Sequence, residues 1–306
     1  MQTRSLGFSD VVVSEITLGT WGLATGAYGP VEPSRFEAVV CEAFDRGITT
    51  FDVAPLWGDG EGERRVRAGL GERVKDAVFI GRAGLSSVDG APVARFEGEA
   101  LVADVEGSLG RLGRDCLDVL LLHNPPLKAM QSELWQRSME DLLETGKIRA
   151  WGVACGNADE ARFALKIGAQ AVGLVHHLLA PDLLHELAPS IKEAGAGMIG
   201  RSPLLHGLLA GRWDAQTEFA FDDHRSRRWD RSGMAVRLEQ VERVRFLVEG
   251  EVPDLATAAL LYALSSPFVS TVCVGARTVE QAAAAAAASR PAPLLPDRAL
   301  ARLLGK

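Results

Sequence analysis

The sequence predicts an α/β fold, a (β/α)8 TIM barrel preceded by a small N-terminal β-hairpin, as one domain over residues 1–306. Three observations carry this. Short apolar, β-rich runs alternate with amphipathic helical stretches almost throughout, which implies βαβ units and a parallel sheet. Eight such runs occur in 306 residues, which suits a closed barrel better than an open sheet. No Pro/Gly/Ser-rich linker divides the chain.

In chain order, TRSLGFSDVVVSE reads as the hairpin. The strands are ITLGT (16–20), ITTFDVA (48–54), AVFIGRA (77–83), LDVLLLH (117–123), IRAWGVA (148–154), AVGLVHH (171–177), AGMIGRS (196–202) and STVCVGA (270–276). Helical periodicity marks 33–47, 96–113, 134–147, 159–168, 181–195 and 255–266, and the alanine tract 282–288 reads as helix. Several of these segments are entered by Pro, Ser or Asp and left by Gly, which are helix start and stop signals. Residues 206–235 lack clear periodicity and are expected to form a long loop, with DDHRSRRWDR solvated or, as the alternative, folded over the mouth as a lid.

The formal charge of -7 and the lack of a basic face argue against nucleic acid as a partner. No apolar run approaches the ~20 residues of a membrane span, and the N-terminus has no apolar signal region. Cys41, Cys116, Cys155 and Cys273 are dispersed without a CxxC. They fit a reduced, cytoplasmic protein. No ligand cluster has metal spacing. Active groups of such barrels sit at the C-terminal ends of the strands. That places Trp21, Asp52, Arg82, His123, His176, His177, Arg201 and Arg277 around one mouth. Adjacent strand residues point to opposite faces, so at most one of His176 and His177 enters it. Two arginines there suggest a small-molecule substrate with an acidic group.

The chain resembles the aldo-keto reductases. The match runs through RSLGFSDVVVSEITLGTWGL, FDVAPLWGDGEGE, FIGRAG, SLGRLGRDCLDVLLLHNPP, GKIRAWGVA, RSPLLHGLLAGR, DDHRSRR and VSTVCVGARTVEQ, in the family's order. The resemblance implies carbonyl reduction by hydride from NADPH, with a proton from a Tyr tuned by a Lys–Asp pair and a His holding the carbonyl. Carried over by position, the catalytic set is Asp52, Trp57, Arg82 and His123. Asp52 and His123 match the family; Trp57 stands in the place of the Tyr and Arg82 in that of the Lys. The implied NADP(H) residues are Thr20, Trp21, Ser202, Leu204, Gly207, Gly275, Arg277 and Gln281. Trp21, His176 and Arg201 would face substrate. The family's nicotinamide clamps are replaced by Ala154, Cys155, Gly173 and Arg201, and an Asn near the adenine by Ala285.

An indole N–H donates a hydrogen bond but is no proton source at neutral pH, and Arg82 stays cationic with a planar fork suited to Asp52 or an anion. His123, with an ordinary pKa near 6.5, is the expected proton shuttle. Three functions remain open, in this order. The first is an NADP(H)-dependent oxidoreductase of small carbonyl or alcohol compounds with altered proton-donor machinery. The second is a lyase, dehydratase or isomerase using His123 as acid and base. The third is a binding protein without turnover.

Overall fold

A computed structural model describes residues 1–88, 91–289 and 295–303. A two-stranded antiparallel hairpin, β1 (Thr3–Ser5) and β2 (Val12–Ser14), precedes the barrel. The chain then forms β3 (Ile16–Gly19), β4 (Thr50–Asp52), β5 (Val78–Ala83), a second hairpin of β6 (Leu85–Val88) and β7 (Ala91–Ala94), β8 (Leu117–His123), β9 (Ile148–Ala154), β10 (Ala171–Val175), β11 (Gly197–Arg201) and β12 (Val269–Gly275). Strands β3, β4, β5, β8, β9, β10, β11 and β12 are all parallel and close into a barrel, β12 pairing back onto β3. The eight strands read from the sequence are these eight. They are buried along nearly their whole length, as strands covered on both faces must be.

The hairpin caps the N-terminal end. Leu6, Val11 and Val13 pack with the inward-facing Ile80, Val119, Leu121, Ala150 and Ile199. Arg4 fixes this cap by bonding to Glu15 and to the carbonyls of Leu264, Ser266 and Val269. The outer layer is helical, and its ends follow local rules. Pro33 opens Pro33–Asp45, where its missing N–H costs nothing. Asn157, Asp254 and Thr278 cap their helices through the side chain. Gly113, at φ +67, ends Gly98–Leu112 in the left-handed conformation that glycine adopts without strain.

Three differences from the sequence reading bear on the site. The 206–235 segment is not one loop: it holds short 3-10 turns at Leu205–Ala210 and His224–Arg227, and helix Arg231–Val244 begins inside it, capped by Asp230. β10 ends at Val175, so His176 and His177 lie beyond the strand and strand alternation does not govern them; both are buried. The β6–β7 hairpin rises beside the mouth, tied at its base by Gly84 N–H and the Ser86 hydroxyl donating to Asp104.

Candidate active site

Strand ends deliver the central group. Asp52 is the last residue of β4, Arg82 the penultimate residue of β5 and His123 the last of β8. β4 and β5 are neighbours and so are β5 and β8, so the three side chains converge. Arg82 donates from Nε to Asp52 Oδ1 at 2.8 Å and from Nη2 to Oδ2 at 2.9 Å. Both residues are about 97% buried. The fork is bidentate, the geometry a guanidinium makes best with a carboxylate. Burial alone would lower the Arg82 pKa; the Asp52 carboxylate outweighs it and holds the guanidinium above its ordinary value.

Trp57 follows β4 in a turn and is 6% exposed. Its ring lies 5.3 Å from the Arg82 guanidinium and edge-on to His123, with centroids 6.1 Å apart. Thr20 closes the group from the β3 side, its backbone N–H and hydroxyl both donating to the Asp52 carbonyl. His123 is buried beside two guanidiniums. Burial, then Arg82 and Arg201, push its pKa well below 6.5. At neutral pH the imidazole is therefore neutral, a hydrogen-bonding group and base rather than a stored proton.

Arg201, at the end of β11, lies across the mouth. It donates to the Cys155 carbonyl at 2.7 Å and to Asn124 Oδ1 at 3.2 Å, and its buried Nε has no partner. Gly173 lies beside its stem: a Cβ there would stand 3.6 Å from Arg201 Cδ, in ordinary van der Waals contact. Burial and the repulsion of Arg82 push the Arg201 pKa down to about 10. It still carries its charge at neutral pH.

Around the β11 and β12 ends the remaining predicted positions form a second group. Trp21 packs edge-on to Tyr28 and His224. Arg277 spends its terminal nitrogens on the carbonyls of Tyr28, Gly29 and Pro30, and its Nε is buried without a partner. Its backbone N–H donates to Gln281 Oε1. Ser202, Leu205 and His206 all have positive φ, at 54, 44 and 58°, and Gly207 follows at 98°. Three strained non-glycine residues within five positions cost of order 1–3 kcal/mol each, a concentration typical of ligand-holding turns. Leu204 is half-buried there, accepting the Gly207 and Leu209 N–H groups. Gly275 opposes Gly19 across the β12–β3 seam.

His176 is not joined to the Asp52–Arg82 group by any hydrogen bond or ring contact among the described residues. Its ring lies on Tyr262 at 5.2 Å with both nitrogens buried and unpartnered. Reading the sequence missed several members of the site. Cys273 of β12 donates its thiol to Asp52 Oδ2 at 3.2 Å. Burial and Asp52 push that thiol well above its ordinary pKa, so it stays protonated. Asn124, Tyr28, His206 and Arg225 were also unread, although Asn124, His206 and Arg225 stand inside the matched stretches LLLHNPP, RSPLLHGLLAGR and DDHRSRR. Among the described residues no group of three or more His, Cys, Asp or Glu could hold a metal ion.

This barrel, with an acid and a basic partner at the β4 and β5 ends and a histidine at β8, has relatives. A sequence model described as Aldo/keto reductase family matches residues 15–303. The chain belongs to the aldo/keto reductase family. Among curated members, an uncharacterized oxidoreductase YqkF of Bacillus subtilis is 27% identical over 92% of this chain and 89% of its own length. The aldo-keto reductase YhdN of the same organism is 27% identical over 74% and 69%. A putative voltage-gated potassium channel subunit beta of Schizosaccharomyces pombe is 26% identical over 91% and 85%. Two solved structures share the fold. The holo form of aldo-keto reductase AKR11C1 from Bacillus halodurans superposes with a TM-score of 0.84 at 23% identity, covering 100% of this chain and 96% of that one. Glycerol dehydrogenase AKR11B4 from Gluconobacter oxydans gives 0.86 at 22%, covering 99% and 94%.

Toward the β11 and β12 ends, Arg277 Nε and His224 Nε2 are buried without a hydrogen-bond partner. At the ring end Ala154, Cys155 and Gly173 offer no side-chain amide, and Arg201 already uses the Cys155 carbonyl. A nicotinamide would bind there only after Arg201 releases that carbonyl.

Proposed function

We propose that the protein is an oxidoreductase that interconverts a small carbonyl compound and its alcohol with NADP(H), using altered proton-donor machinery. The observation that carries this is the bidentate Asp52–Arg82 pair in one mouth with His123 and Trp57. Ser202, Leu204, Gly207, Gly275, Arg277 and Gln281 would hold the nucleotide, with Thr20 and Trp21 flanking the ring. Bound there, NADP(H) supplies or accepts the hydride.

The chain's own residues do the rest. Arg82, fixed by Asp52, presents a permanent positive charge to the developing oxyanion. Neutral His123 donates one ring N–H to the same oxygen, and Trp57 walls one side of the pocket. None of these is an acid at neutral pH, so the proton comes from solvent. Titrating NADPH while following nicotinamide emission and heat tests the reading. Saturable binding with altered emission supports it, and no binding by either method ends it. If NADPH binds, the Trp57→Tyr/Arg82→Lys double variant is expected to gain carbonyl reductase activity.

A second reading, a lyase, dehydratase or isomerase with His123 as base, is favoured by one observation. Arg201 donates to the Cys155 carbonyl, where the family resemblance puts the nicotinamide carboxamide.

A further inference from the structure

The charges at the mouth do not balance. Arg82 and Arg201 are both cationic, and Asp52 is the one carboxylate acting on both, committed through both oxygens to Arg82. The other titratable groups beside them are neutral at pH 7. His123 is held unprotonated, and the Cys155 and Cys273 thiols are held protonated, Cys155 by a pKa pushed up to about 12. Arg201's own hydrogen bonds go only to neutral acceptors, the Cys155 carbonyl and the Asn124 amide oxygen, and its Nε has no partner. A half-buried cation left without a counter-ion is costly, and an unmade hydrogen bond on a charged donor adds to that cost.

We infer that Arg201 is the receptor for a carboxylate on the substrate, beside the Arg82–His123 pair that faces the reacting oxygen. The excess is one positive charge, which matches a carboxylate monoanion better than a phosphate dianion. Its Nε, buried without a partner, and Nη2, now bonded to the neutral Cys155 carbonyl, form a planar edge that would match the two oxygens of a carboxylate once Nη2 gives up that carbonyl. The substrate class is thus a short oxo or hydroxy acid. This deepens the proposed function by naming the substrate's second group, and rests on that reading for the position of the reacting oxygen. The anion site itself needs no cofactor.

The test is calorimetry on the full chain in low-salt, chloride-free buffer without NADPH, using pyruvate, its uncharged methyl ester and inorganic phosphate. Pyruvate is expected to bind in the millimolar range or better, at least about tenfold tighter than the ester or phosphate. Arg201→Gln should lose that preference, and Arg201→Lys should recover part of it. Equal binding of acid and ester, tighter binding of phosphate, absence of pyruvate binding, or unchanged binding by Arg201→Gln would each overturn the assignment. If Arg201→Gln fails to fold, the Arg201 Nε–H resonance in 15N-arginine-labelled wild-type protein decides. A shift on adding pyruvate supports the site, and an unmoved resonance removes it. Pyruvate binding without NADPH binding keeps the carboxylate site and ends the oxidoreductase reading. NADPH binding without discrimination between acid and ester does the reverse.

Discussion

Arg82 and Asp52 each make the other's burial tolerable. Taking either charge out of water costs several kcal/mol, and the bidentate contact offsets it only while both are present. Asp52→Asn is therefore expected to destabilise the protein by about 3–5 kcal/mol, read as a lower midpoint in guanidinium chloride. The paired replacement Asp52→Leu/Arg82→Met should recover most of that loss, because it removes the stranded charge as well. A single variant with an unchanged midpoint would mean that water reaches the pair. Asp52, Arg82 and His123 were legible in the sequence because each ends an apolar strand and sits in a family motif. Cys273 was not: a small residue inside a buried strand reads as packing, and only its 3.2 Å contact with Asp52 distinguishes it from alanine. Arg201 was legible as a mouth residue, but its hydrogen bond to Cys155 crosses β10 to the end of β9, which only the closed barrel brings within reach.

At the scale of elements, the segment after β11 folds back on the segment after β3. The Ala27 carbonyl accepts the His224 N–H, and the Tyr28 hydroxyl meets His206. Arg225 is paired with Asp223 and stacked on Tyr28 at 4.8 Å and Phe219 at 4.5 Å. The run expected to be solvated is thus divided. Asp223 is buried, while Ser226, Arg227 and Arg228 are exposed. Charge density alone could not reveal this, because it does not show which arginine meets the aromatic rings, one of which, Tyr28, lies far away in the chain. Arg225→Ala removes the stacked cation, a contribution of about 1–2 kcal/mol. Trypsin should then cut after Arg227 or Arg228 about tenfold faster, since cleavage follows the population of the opened segment. An unchanged rate would show that the His224 N–H bond to the Ala27 carbonyl and the Tyr28–His206 contact hold the two segments together unaided.

Over the whole molecule, the barrel was readable because parallel strands covered on both faces leave long apolar runs, and the intervening helices carry strong boundary residues. Helix Arg231–Val244 was not read at all: its first turn, with Ser232 and Gly233, reads as loop, and its buried positions Met234, Val241 and Val244 are too sparse to mark a helical face. The same dense packing makes the protein sensitive to acid. His123 is pushed well below 6.5, and His176 and His177 are lowered to about 4, in each case chiefly by burial. Their unfolded forms bind protons first as pH falls. The stability of the neutral forms is therefore complete above about 6.5 and declines toward pH 4, at up to about 1.4 kcal/mol per pH unit for each fully buried ring. Glu63 and Asp104, raised by burial, act in the opposite sense, so the variant difference is the informative quantity. His176→Phe, which keeps a ring on Tyr262, should raise the melting temperature more at pH 5 than at pH 7.5. An equal gain at both would mean that His176 is already paired through water.

Gly173 carries a consequence for descent. A bulky side chain there would press on Ala154 and on the Arg201 stem, while an aromatic ring at 201 would leave the Cys155 carbonyl and the Asn124 amide oxygen without the bonds Arg201 gives them. Neither step toward a conventional reductase can be taken alone without loss, so the two positions are expected to have changed, and to change back, as a couple.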